Sequence, residues 1–391
     1  MVAADHAGAT RVSRSALVDA RRTTALWEAS REESHDFMTA FDRSASDGLD
    51  REPIAERLRH SAYTSPPLRF LSVSDCYVMP AWGVVFDANG TVNFEASRAA
   101  QWHSPDLSIL PGVVPMDDHP WVTAEALENA VEVSGGHLLL HHAGLRTYGH
   151  WMADCILGAW VFADEIRRGQ LRLLAAPLDR WHRQTLEAFG IAQSVTESAM
   201  PLVRCEQLII PSSLDISNIT RPTHLLGECF RALRRGCPPP RVHIPRLPRL
   251  YIARGSLERR PMRNERALIA ALEERGFVAV YPRGMSIAQQ VHLFSGAECI
   301  VGPSGSAMIN TVYMDSGSHV VEISPIAVES NFWVARLGAV LGIRYAGTIV
   351  DVAVEDRSDS VVSGGRRESV DCRFDADIPA VLRALDVFGF R

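Results

Sequence analysis

The chain has 391 residues, 47% of them apolar and 22% charged, with a formal net charge of -6 at pH 7. That length holds two domains with ample core, and the mild negative charge argues against a general nucleic-acid role. No apolar run approaches a membrane span, the start Met1-Val-Ala-Ala-Asp-His6 lacks a signal-peptide core, and the seven cysteines form no C-x-x-C pair. A cytoplasmic protein with reduced thiols and no zinc site is therefore expected, and peripheral contact with a membrane surface stays open.

Residues 1–65 read as a polar extension rich in both charges, with weak helical patterning around Ala16 to Trp27, either mobile or packed as helices on the first domain. Residues 70–73, 77–79, 83–86 and 137–142 read as strands, 150–166 and 179–189 as helices, and 208–211 as a further strand. Pro238-Pro-Pro240, with Pro245 and Pro248, reads as a stiff linker between a domain of residues 66–240 and one of residues 246–350. Beyond it, strand and helix alternate. A strand at 250–253 leads to a helix capped by Asn264 that runs to Arg275, with Leu268, Ile269 and Leu272 on one side and Gly276 as its stop. A strand at 277–281 follows, then a helix opened by the capping-box spacing of Ser286 and Gln289, with Ile287, Val291 and Phe294 at i, i+4 and i+7. Residues 299–302 form the third strand, 306–314 a short helix and 319–323 the fourth strand. This alternation predicts a parallel, doubly wound sheet. The tail, 351–391, holds a polar stretch at 355–368 and then a helix, Ile378–Val387, expected to pack back toward the first domain.

Ligands of open parallel sheets bind outside the carboxyl ends of the strands. Arg254, the turn Pro282-Arg283-Gly284, the loop Gly302-Pro-Ser304-Gly305-Ser306 and Glu322 all fall at or near such ends. Small residues between a strand and a helix expose backbone N–H groups beside the positive end of the helix dipole, which suits a phosphate. A carboxylate there can accept ribose hydroxyls. Gly and Ser also serve as plain turn residues, and Gly302-x-x-Gly305 is not the dinucleotide spacing G-x-G-x-x-G, which disfavours an NAD-dependent oxidoreductase. In the first domain, Thr147-Tyr-Gly-His-Trp-Met-Ala-Asp154 puts His150 and Asp154 on one helix face. Such a pair can orient and deprotonate a hydroxyl, although spacing alone better suits a packed or capping His with a surface Asp. His141 and His142 point to opposite faces of a strand, so they and His137 are not expected to bind a metal.

Together these residues resemble glycosyltransferase family 61, which includes bacterial capsular-polysaccharide enzymes and eukaryotic xylosyl- and N-acetylglucosaminyltransferases. The family's N-Y-x-H-W-x-x-D-type motif is matched by Tyr148, His150, Trp151 and Asp154. Its S-R element is matched by the arginine of Ala253-Arg254, and the end of its R-x-x-N-E element by Arg263-Asn264-Glu265. Its G-P-H-G-A-G-L-x-N loop is similar to Gly302-Pro-Ser-Gly-Ser-Ala-Met-Ile-Asn310, and its V-I-E strand to Val320-Val321-Glu322. The resemblance covers roughly residues 137–325. It implies a GT-B architecture, an α/β fold of two Rossmann-like domains facing across a cleft. It also implies inverting transfer from a nucleotide sugar to a hydroxyl of a glycan or small-molecule acceptor, with no obligatory metal and no cofactor beyond the donor itself. On that reading Arg254 and the loop of Gly302, Ser304, Gly305, Ser306 and Asn310 hold the donor diphosphate, with Arg263 and Asn264 beside them. Glu322 takes the ribose, Asp154 is the base, and His150 assists it or replaces it. The sequence departs from the family at Ser304, where the usual residue is His. Serine donates a hydrogen bond but carries no positive charge and has a shorter reach. A catalytically silent relative that binds a nucleotide or glycan is the competing expectation.

Overall fold

Among the described residues, two separate main sheets gather the apolar strands, one of eight strands and one of five, with helices around each. The computed structural model describes residues 10–11, 13–19, 25–59, 62–100, 107, 110–114, 120–141, 144–212, 221–242, 244–255, 260–325, 332–353, 362–363, 366–367 and 372–391. His142 and most of the polar stretch 355–368 lie outside them. The chain divides into unit one, Met1–Glu33 with Pro66–Asn218, and unit two, Ser34–Ser65 with Ile219–Arg391.

Unit one is built on β1 (Thr10–Arg11), β2 (Ala25–Glu28), β3 (Arg69–Met79), β4 (Val84–Phe86), β5 (Val131–Leu139), β6 (Arg172–Ala175), β7 (Val195–Glu197) and β8 (Val203–Ser212). Their order is β1-β2-β3-β8-β5-β6-β7, with β4 folded back on β3. Strands β8, β5, β6 and β7 are mutually parallel, as a Rossmann-like domain requires. The rest of the sheet corrects that expectation. Residues 70–73 and 77–79 belong to one long strand, which runs antiparallel to β8 from Val203↔Val78 to Ser212↔Arg69, and the sheet is therefore mixed. The hairpin to β4 turns through Gly83 at φ +65°, a conformation glycine adopts without strain. Leu71, Val73, Val78, Leu139, Leu174, Leu208 and Ile210 form an apolar core cluster of this unit. The helix expected at 150–166 is present in segments: Tyr148–His150, a π-turn at Trp151–Cys155, then Ile156–Val161 and Ala163–Arg167. Helix α1 (Arg180–Ala188) lies beside it.

Unit two carries α2 (His224–Gly236), β9 (Arg249–Ile252), α3 (Glu265–Glu273), β10 (Val278–Val280), α4 (Ile287–Phe294), β11 (Cys299–Pro303), β12 (His319–Pro325), α5 (Trp333–Leu341), β13 (Arg344–Val350) and α6 (Ile378–Val387). Its sheet is wholly parallel, in the order β10-β9-β11-β12-β13. In sequence terms this is 2-1-3-4-5, the flavodoxin-like doubly wound order, whose switch point lies between the first and third strands, here β9 and β11.

Three boundaries differ from the sequence reading. The units part before Ile219, not at the prolines, because α2 belongs to unit two. Phe230 meets Tyr313 edge to face at 6.4 Å, and Arg234 reaches Asp315 at 2.5 Å. The amino-terminal stretch does not stay with one unit. Its residues 34–65 join unit two, where the Tyr345 N–H donates to Ala40 O at 2.5 Å and the Asp42 N–H donates to Tyr345 O at 2.6 Å. That pairing covers the edge of β13, which would otherwise expose unpaired backbone. The carboxy-terminal helix α6 packs within unit two. Val381, Ala384 and Leu385 share a core with Leu268, Leu272 and Tyr251, and Arg275 Nη1 donates to Leu382 O at 3.0 Å and to Asp386 at 2.8 Å. The apolar stripe of α6 matches that of α3, and burying the pair together explains the placement.

Candidate functional site

The switch point of unit two gathers most of the expected donor-site residues. Strand β9 ends at Ile252, and Glu265, at the start of α3, folds back on its exit. The buried carboxylate accepts from the backbone N–H of Arg254 at 2.7 Å, from that of Gly255 at 2.9 Å and from the Tyr251 hydroxyl at 2.9 Å. These charge-assisted bonds fix the course of the chain at Arg254. The neighbouring strand β11 delivers Gly302 into close quarters: a Cβ there would lie 2.6 Å from Met308 Sδ and 3.2 Å from Ile252 Cβ. Ser304 is buried, and its N–H donates to Ile323 O at 2.8 Å. Gly305 then opens the 3-10 helix Ser306–Tyr313, inside which Asn310 is wholly buried.

Two guanidinium groups converge over this loop. A Cβ built at Gly305 would lie 3.4 Å from Arg254 Nη1 and 3.6 Å from Arg260 Nη2. Arg254 Nη1 also reaches Ser304 O at 3.5 Å. Burial first, and then the like charge of Arg260, pushes the Arg254 guanidinium down to about 10. The charge of Glu265 acts on Arg254 in the opposite sense, and two guanidinium groups brought together in a partly buried place suit an anion. Arg260 stands at φ +51°, a conformation that non-glycine residues seldom hold. The sequence reading passed it over, although the pair Arg259-Arg260 before a proline was a visible basic signal.

Other expected residues stand differently. Glu322 sits within β12, almost wholly buried, and accepts from the Tyr345 hydroxyl at 2.8 Å. With Ser304, Ser324 and Trp333 it lines a small recess. Arg263 forms a two-pronged ion pair with Asp375, at 2.9 and 2.6 Å. The side chain of Asn264 does not cap α3. Its Nδ2 donates to Ala376 O and its Oδ1 accepts from the Ala376 N–H, each at 2.8 Å. Both residues thus hold the chain leading into α6.

In unit one, His150 and Asp154 are paired as their spacing suggests, with His150 Nδ1 and Asp154 Oδ2 2.8 Å apart. The pair spans the π-turn, a local widening often found at functional sites. The carboxylate is 3% exposed and the imidazole 24%. The turn is anchored by Trp151, which is buried and donates through Nε1 to Thr185 Oγ1 at 2.9 Å. The preceding loop is fixed by His182: Nδ1 accepts from the Asp179 N–H at 2.9 Å and Nε2 faces Leu145 O at 3.1 Å. Burial pushes the Cys155 thiol well up, with the charge of Asp154 adding to it, so that thiol stays protonated. His137 is buried, 3.4 Å from Thr196 Oγ1, and His141 Nδ1 lies 2.9 Å from Pro80 O. Among the described residues no group of three His, Cys, Asp or Glu could hold a metal ion, and no helix is long and apolar enough to cross a membrane.

Unit two is thus a doubly wound α/β fold with cations gathered at its switch point, and the His–Asp pair belongs to unit one. Residues 148–321 match the family model Glycosyltransferase 61. The match runs from Tyr148, two residues before His150, to Val321, one residue before Glu322. No curated protein gives a significant match to the chain.

Proposed function

We propose that the protein is an inverting, metal-independent glycosyltransferase of GT-B arrangement that moves a sugar from a nucleotide-sugar donor to a hydroxyl of a glycan or small-molecule acceptor. The observation that carries this reading is the convergence of Arg254 and Arg260 on Gly305 at the β9/β11 switch point. A leaving nucleoside diphosphate gains negative charge as the glycosidic bond breaks, and fixed guanidinium and N–H groups stabilise that charge without reorganising. Ser304 lacks the charge of the family's histidine, and in this reading Arg260 supplies it. Arg263 and Asn264 hold the tail instead of the donor.

The base is His150. A carboxylate as buried as Asp154 is poorly placed to meet an acceptor hydroxyl, whereas it can hold the imidazole by Nδ1. Nε2 then takes the hydroxyl proton as the oxygen attacks the anomeric carbon from the face opposite the diphosphate. The reading includes work in a reducing, cytoplasmic setting, in keeping with seven scattered cysteines that form no C-x-x-C pair. A panel of nucleoside diphosphates and nucleotide sugars in a thermal-shift assay tests the reading, since a ligand that binds the native state raises its stability. At least one should raise the melting temperature in the presence of a chelator. A flat panel would remove the donor from the account. The silent-relative reading draws on Ser304, and it gains if a nucleotide binds but no acceptor is glycosylated.

A further inference from the structure

Tyr281 leaves the sheet beside Arg254. Ile252 and Val280 are register partners on β9 and β10, and the Ala253 N–H donates to Val280 O at 2.9 Å, so the residues that follow the two strands emerge together. The Tyr281 ring lies against the bare backbone of Gly255: a Cβ there would be 3.0 Å from Cε1 and 3.3 Å from Cδ1. Gly255 stands at φ +59°, so glycine suits both its conformation and its closeness to the ring. On the other side the chain is fixed by buried Pro282 and a tight turn in which the Met285 N–H donates to Pro282 O at 3.0 Å. The aromatic group is thus held in place, yet Tyr281 is 50% exposed at the carboxyl edge of the sheet.

An aromatic surface beside a pair of phosphate-seeking cations matches the two chemical parts of a nucleotide. We infer that Tyr281 is the stacking surface for the base of the bound nucleotide. The inference rests on the donor reading above and narrows it. A sugar diphosphate carried on a lipid would satisfy Arg254 and Arg260 equally, but it has no base to stack, so Tyr281 assigns the carrier to the nucleotide class. Stacking tolerates every base, because each has a π-face, and the choice among bases falls to other contacts.

The test compares inorganic pyrophosphate with the uridine, guanosine, adenosine and cytidine diphosphates by calorimetry on the full chain. In the wild type at least one nucleoside diphosphate should bind more tightly than pyrophosphate. Tyr281→Ala should weaken that nucleotide by about tenfold or more, within the range for a base stacked on an aromatic ring. Tyr281→Phe should keep most of the affinity, and pyrophosphate should bind wild type and both variants alike. Three results would overturn the inference: no preference for any nucleoside diphosphate over pyrophosphate, no loss in Tyr281→Ala, or an equal loss for pyrophosphate, which would make Tyr281 a support for the Arg254 loop. Failure of the cation reading shows separately, as unchanged pyrophosphate affinity in Arg254→Ala.

Discussion

At the residue scale, the site turns on how charges are held. Glu265 fixes the Arg254 backbone, and Arg260 brings a second cation to the loop. Arg260→Ala should weaken nucleoside diphosphate binding by about 1.5–3 kcal/mol, the scale of a charge-assisted hydrogen bond. The loss should shrink at high salt if part of it is unshielded charge, which titrations at two ionic strengths would show. The proposed function divides the catalytic work between His150 as base and Asp154, which is paired with its Nδ1. Once donor and acceptor are known, His150→Ala should lower turnover by roughly a hundredfold or more with nucleotide affinity retained. Asp154→Asn should also lower it, because the amide no longer fixes the imidazole tautomer. Near-normal turnover in His150→Ala would place the base elsewhere. A third residue, His182, makes the fold sensitive to acid. Burial, above all, lowers its pKa from the ordinary 6.5, and its Nδ1 already accepts from Asp179. The unfolded chain therefore binds a proton that the folded one resists. This contribution to stability is full above about pH 6.5 and is lost as the pH falls through the folded value. Urea midpoints measured from about pH 7 to about pH 5 should fall in the wild type, and less steeply in His182→Gln.

At the element scale, local signals served well where capping and periodicity agreed. Ser286 and Gln289 form the capping box that their spacing announced, and Ile378–Val387 has the bounds read from its pattern. Asn264 shows the limit of such reading. It stands at the start of α3, but its side chain turns to Ala376, over a hundred residues away, which no local rule foresees. Strand β13 and helix α5 were passed over as well. The strand is buried from Tyr345 to Val350 without alternation, a pattern that periodicity cannot tell from a helix. Asn264→Ala removes its two bonds to Ala376, and should cost about 1–3 kcal/mol of stability in a denaturant titration. An unchanged midpoint would mean that the Arg263 and Arg275 contacts and the packing of Val381 and Leu385 hold the helix without Asn264.

At the scale of the whole molecule, the sequence showed the parallel sheet and the strand edge where a ligand would sit, because alternation of strand and helix is written locally. It did not show the mixed sheet of unit one, the division before Ile219 or the capture of residues 34–65 by unit two. Those depend on pairings between distant segments, such as β3 with β8 and Ala40 with Tyr345. The candidate site was legible in part for the same reason: Arg254 and the 302–306 loop follow strands, while Arg260 enters from a connection whose course only the fold reveals. The topology makes one claim central, that the β9/β11 switch point holds a nucleoside diphosphate without a metal. The measurement that tests it most directly is a calorimetric titration, in a chelator, of the nucleoside diphosphate ranked first by thermal shift, with wild type and Arg254→Ala side by side. The account predicts saturable one-to-one binding to the wild type and a loss of about 1.5–3 kcal/mol in the variant. Equal affinity in the two proteins, or binding only when a divalent ion is restored, would contradict it.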